Sequence, residues 1–196
     1  FHALMGRTSG YYGPYIWKDE ELRRYKVELP EGTQDYAVKF LDGFIMKSWL
    51  DYISFGETGT GGWSNGDGLI HCVRTAYDLE SENFQVSLLK HEAQHAMDQT
   101  HYKGITNEEL EYRAKLVELI YSRERRMLER FLGQADTTRA DNGHGLSAER
   151  IVREFEIRQK RDRGRLVEIP VETVQTAAQS LFAESCQEMA AKYRQS

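Results

Sequence analysis

Residues 24–29 alternate between polar and apolar positions, which predicts a short strand ending at Pro30. Over residues 34–55 the apolar positions Tyr36, Phe40, Phe44, Met46, Trp49 and Leu50 recur at the spacing of one helix face, so a helix is predicted there. The aromatic, turn-rich stretch at residues 11–17 reads as an irregular cover over a larger element. Residues 56–68 hold six glycines in thirteen positions and read as a loop, because glycine loses the most freedom on ordering. The β-branched and aromatic run at residues 69–77 then predicts a strand.

From residue 83 onward the pattern is helical. One helix is predicted over 83–99. The next opens on a capping box, with Thr106 as N-cap and Glu109 three positions into the helix, and continues to 132. A polar loop at 141–145, a helix over 147–159 and a last helix over 171–193 complete the chain. Seven Arg or Lys lie between Arg150 and Arg165, but Glu154, Glu156 and Asp162 interrupt them, as on a solvated helix face. No internal repeat breaks this order.

With 196 residues, the chain fits one domain of about 100–200 residues. Its net charge of −5 speaks against nucleic-acid binding through clustered Lys and Arg, so no nucleic-acid partner is expected. No apolar stretch approaches the ~20 residues that cross a bilayer, so no membrane span is expected. Cys72 and Cys186 are too few for a disulfide framework but sufficient for one bridge. The start at Phe1 suggests a processed or trimmed product, which leaves secreted, periplasmic and cytoplasmic locations all open.

Two nucleotide signatures fail. Gly56 and Gly61 have the separation of a phosphate loop, yet Gly62 and Trp63 stand where Lys and Ser/Thr are needed. Gly59-x-Gly61 is followed by Ser64 where the dinucleotide fingerprint needs Gly or Ala.

The segment His91-Glu92-Ala93-Gln94-His95 carries the chemistry. Residues four apart share one helix face, so His91 and His95 can present two imidazoles to one metal ion. Glu92 is turned about 100° from His91, which sets its carboxylate beside the ion as a general base for water. Phe84, Leu88, His91 and His95 continue a single stripe, and two half-buried imidazoles one turn apart would repel if charged and need polar partners if neutral. A metal ion relieves both problems, and Zn2+ suits imidazole with carboxylate.

These residues resemble the zincin metallopeptidases, whose active-site helix carries His-Glu-x-x-His after a sheet edge strand. The likeness spans about a third of the chain. It implies an α+β, zincin-like fold: a small sheet with an active-site helix in residues 1–104 and a mostly helical lobe in 105–196, the glutamate helix leading it. It also implies zinc-dependent peptide hydrolysis, with a peptide or protein substrate held by an exposed edge strand.

The third ligand separates the zincin clans. In a gluzincin-like reading it is Glu111, at the edge of the apolar seam Leu110, Ala114, Val117 and Tyr121, within a Glu-x-x-Ala string found in small gluzincins. Lys115 departs from the thermolysin-like Asp at that position. Glu118, two turns on, is a supporting residue or a substitute. In a metzincin-like reading the ligand is His101, but Asp98 replaces the turn glycine, and no Met-turn follows because Met127 lies in a charged run. Glu111 is the preferred ligand. A di-iron carboxylate site lacks the second Glu-x-x-His it needs. His144 in its Gly-flanked loop is the favoured transition-state donor, ahead of His71 and Tyr112. The alternative from another class is a non-catalytic, zinc-stabilised interaction protein.

Overall fold

The computed structural model describes residues 1–8, 11–64 and 69–193. Strands dominate the first part: β1 (His2–Thr8), β2 (Tyr11–Trp17), β3 (Asp19–Leu29), β4 (Gly32–Asp42), β5 (Met46–Lys47), β6 (Gly62–Ser64) and β7 (Leu69–Val73). Helices dominate the second: after the short α1 (Trp49–Ile53) come α2 (Glu82–Phe84), α3 (His91–His101), α4 (Asn107–Tyr121), α5 (Arg126–Gln134), α6 (Gly143–Gln159) and α7 (Val171–Tyr193). The fold is therefore α+β, with strands grouped ahead of helices. Among the described residues no helix is long and apolar enough to cross a membrane.

The chain divides into two compact units. The first comprises Phe1–Lys26 and Asp35–Phe84, and the second Val27–Gln34 with everything from Gln85 onward. In the first unit β1, β2 and β5 form one small sheet, with Leu4 opposite Tyr15 in the antiparallel β1–β2 pair. Tyr15, Trp17 and Leu41 form its core, with Leu4, Phe44 and Trp63 packed against them. A second sheet has the order β3-β4-β7-β6, in which β4 and β7 run parallel with Val38 beside Ile70 and Phe40 beside Cys72.

Several sequence expectations change in this unit. Residues 11–17 are not an irregular cover, because they pair along their whole length with β1. The helix expected over 34–55 is mostly strand, followed only by the five-residue α1. The spacing that suggested a helix is ambiguous: four is an even number, so Tyr36 and Phe40 share a strand face as well as a helix face. Val38, buried between them while Ala37 and Lys39 are only half-buried, fixes the period at two. Within the glycine-rich stretch, residues 62–64 form the edge strand β6, paired with β7, while 65–68 lie outside the described residues. The strand expected over 69–77 ends at Val73 and passes into a 3-10 turn at Arg74–Ala76. Cys72 and Cys186 are both free thiols, so the single bridge does not form.

In the second unit α4 lies at the centre, packed by α3, α5, α6 and α7. Ten of its fifteen residues are buried, which is the exposure of a helix enclosed on all sides. The capping box is present as expected: Thr106 Oγ1 accepts from Glu109 N, and Glu109 reaches back to Thr106 N at 3.0 Å. The helix expected to run to 132 breaks after Tyr121. Ser122 is extended, its hydroxyl accepts from Glu124 N, and its carbonyl accepts from Gln175 Nε2 of α7. A serine bonding to nearby backbone in this way competes with the helix ladder. The last helix has the bounds expected of it.

Candidate metal centre

The helical run that carries the histidines is not uniform. Between α2 and α3, Gln85–Lys90 forms a π-helical turn, an insertion that recurs at functional sites in other proteins, and His91 follows it directly. His91, Ala93, Gln94, Met97 and Asp98 are the buried residues of α3. The rings of His91 and His95 lie 4.5 Å apart between centroids.

Opposite them α4 supplies two carboxylates seven residues apart, two turns along one face. Glu111 addresses both imidazoles, with Oε2 3.5 Å from His91 Nε2 and Oε1 3.8 Å from His95 Nε2. Glu118 addresses the other nitrogen of His91, its Oε1 lying 2.7 Å from Nδ1. A carboxylate can only accept, so Nδ1 carries the proton there and Nε2 is left to face Glu111. Glu92 approaches His95 from the Nδ1 side at 4.0 Å.

His144 also reaches this cluster, though not from a loop. Helix α6 begins at Gly143, capped by Asn142, whose side chain accepts from Gly145 N, so His144 sits in the first turn. A Cβ on Gly143 would run into the Asn107 side chain at the start of α4, so glycine lets the two helices begin this close together. His144 Nδ1 lies 2.8 Å from Glu111 Oε2. The contact is close but misaligned: Glu111 Oε2 and His95 Nε2 remain buried without a hydrogen-bond partner.

Burial and charge act together here. Burial, seconded by His91, drives His95 down to about 3, which leaves a neutral imidazole. Burial alone would raise Glu111, but the close approach of His144 and the electrostatic influence of the surrounding imidazoles bring it down to about 2. Burial would lower His91, yet its bond to Glu118 raises it. Glu92 is raised by burial and by the neighbouring Glu111 and Glu118.

The donor set fits a divalent cation. Ligands about 2.0–2.1 Å from a tetrahedral ion stand roughly 3.3 Å apart, close to the Glu111–imidazole separations. A cation would also satisfy the two orphaned atoms, which otherwise carry an uncompensated desolvation cost. His91, Glu92 and His95 can likewise each offer a ligand atom within 4.8 Å of the others. Glu111 faces Nε2 of both rings, whereas Glu92 faces the opposite nitrogen of one.

The remaining sequence candidates lie elsewhere. His101 is exposed at the last position of α3, and the helix continues through Asp98 without turning. Tyr112 is buried beneath the Arg150 guanidinium, 3.9 Å from its ring centre. His71 stacks on Trp63 in the first unit.

Three contributors have no motif. Asp98 is wholly buried and accepts from Gln94 Nε2 and Arg113 Nε, both at 2.9 Å. Arg113, also wholly buried, further binds Glu31 and Ser185. Arg130 of α5 binds Glu118. Buried ion pairs on α4 were detectable only as charges interrupting an apolar seam, and Arg130 gave no signal within its charged run.

Comparison with protein-family models, curated proteins and solved structures finds no match to this chain.

Proposed function

We propose that this protein is a zinc-dependent, gluzincin-like peptidase in which His91, His95 and Glu111 hold the ion and Glu92 is the general base. The observation that carries the reading is the pair of partnerless buried atoms, His95 Nε2 and Glu111 Oε2, beside His91 Nε2. Two imidazoles and a carboxylate gathered around one space make a suitable set of donors for a cation.

Zinc held there would polarise a scissile carbonyl and lower the pKa of water to roughly 7. Glu118 holds the Nδ1 proton of His91, which keeps Nε2 a lone-pair donor. Glu92 would take the proton from water as the water oxygen attacks the carbonyl carbon. It then passes that proton to the amine as the C–N bond breaks. His144, in the first turn of α6, donates to the oxyanion from the nitrogen that does not face Glu111. The partner is thus a peptide or protein substrate.

The test compares the parent with Glu92→Gln after chelation and reloading with zinc, on quenched fluorescent peptides. Both should bind about one zinc per chain, and the variant should turn over roughly 10²–10⁴-fold more slowly. Parental turnover in Glu92→Gln removes the base from the scheme, and failure of the parent to take up zinc removes the proposal.

A second reading draws on the His144–Glu111 contact: with His144 completing the donor set, the ion would be a structural one in a non-catalytic interaction protein. In that case zinc raises the melting temperature, no peptide is cleaved, and His144→Ala weakens zinc binding as strongly as Glu111→Ala.

A further inference from the structure

Glu118, 1% exposed, is more enclosed than Glu111, and it is held from two sides. One oxygen takes the Nδ1 proton of His91, and the other is bound by Nη2 of Arg130. Arg130 reaches across from α5, and its second terminal nitrogen, Nη1, donates to Ser87 Oγ at 3.3 Å. Ser87 belongs to the π-helical turn that leads into His91. The guanidinium is steadied from below by Met127 Sδ at 3.0 Å from Nη2 and by the Phe131 ring at 5.2 Å. One side chain thus ties the carboxylate behind His91 to the backbone turn in front of it.

We infer that Arg130 is a positioning residue that fixes the ring of His91, through Glu118 and the Ser87 turn, in the pose that leaves Nε2 facing Glu111. The physical argument rests on burial and geometry. A carboxylate stripped of water needs donors on both oxygens, and an unpaired one turns towards any that remain. Lys115, three residues before Glu118 on α4, gives its hydrogen bond elsewhere: its Nζ donates to Gln134 Oε1 at 3.1 Å and sits 4.7 Å from the Phe131 ring centre. Without Arg130, the bond from His91 is the one hydrogen bond left to Glu118 among the described residues, so the carboxylate loses its fixed orientation and the imidazole is free to swing with it. The planar fork of arginine suits the task because it can bind Glu118 and Ser87 at once, which a single ammonium cannot. The effect on metal binding rests on the proposed metal site, whereas the clamp itself is a property of the metal-free chain.

The test uses the full chain with Arg130→Met and Arg130→Lys, after circular dichroism and melting have established folding. The first readout is the His91 Nδ1–H signal in the proton spectrum of metal-free, ¹⁵N-histidine-labelled protein, assigned by its loss in His91→Ala. The second is zinc affinity against a competing chelator. The parent should show a downfield signal protected from exchange. Arg130→Met should lose it and bind zinc about 10–100-fold more weakly, the usual consequence of removing a group that orients a ligand. Arg130→Lys keeps the charge without the fork and should fall between the two. It carries the test alone if the methionine variant does not fold.

Retention of the signal and of parental affinity in the folded variants overturns the inference, as does loss of the signal with no change in affinity. If the parent binds no zinc while the signal still depends on Arg130, the clamp stands and the metal reading falls. A merely structural ion pair would lower the melting temperature and leave both readouts unchanged.

Discussion

Asp98 accepts the Nε–H of Arg113 at 2.9 Å with both side chains wholly buried. The pair joins the third turn of α3 to α4, and Gln94 Nε2 adds a second donor to the same aspartate. It therefore fixes the helix that carries the histidines against the helix that carries the glutamates. Position 98 is also where a metzincin-like site would need a turning glycine, and this ion pair keeps the helix straight through it.

Arg113→Met should destabilise the protein by about 3–5 kcal/mol, because it strands a buried carboxylate and does not merely delete an attraction. Asp98→Leu combined with Arg113→Met should recover much of that loss, since no unpaired buried charge remains between the two helices. Urea denaturation midpoints of the two single variants and the double variant measure both effects. Additive losses in the double variant would show that the pair is not coupled.

Glu111→Ala should weaken zinc binding strongly, as it leaves two imidazoles where catalytic sites have three protein ligands. His101→Ala should leave binding close to parental, because His101 is exposed at the end of α3. Titration of each purified variant against a chelator of known affinity ranks them. The reverse order would move the third ligand to His101.

Burial pushes the Cys72 thiol up to about 11 from its ordinary value of 9.0. The unfolded thiol ionises first as pH rises, so the folded protein gives up stability between pH 9 and about 11, and none below pH 9 from this group. Urea midpoints of the parent and Cys72→Ala, compared at pH 8 and pH 10.5, isolate the contribution. The parent should lose more over that interval than the variant, and parallel losses would exclude Cys72 as the cause.

The readable part of the sequence was the part whose signal is local. The His91–His95 spacing, the Thr106–Glu109 capping box and the bounds of α7 each depend on neighbours within a turn or so, and the structure shows the capping box and α7 as expected. Signals that serve two periods were not readable. Tyr36 and Phe40 satisfy strand and helix alike, and it is pairing on both sides, with β3 just before it and with β7 some thirty residues on, that makes β4 a strand. The glycines flanking His144 predict a loop, yet the Asn142 cap starts the helix before it.

The sequence by itself therefore determined the inventory: a helix with two imidazoles on one face, a carboxylate beside them, and a following helix with acidic residues two turns apart. Only the tertiary structure decided which acid faces which nitrogen, with Glu111 towards Nε2 of both rings and Glu118 behind His91 at Nδ1. It also decided that Asp98, Arg113 and Arg130, three charges with no motif, are buried in ion pairs or drawn into one around them. The reason is that α4 is enclosed on all sides. A charge on such a helix must find its partner across space, and that partner's position along the chain is fixed by packing and not by periodicity.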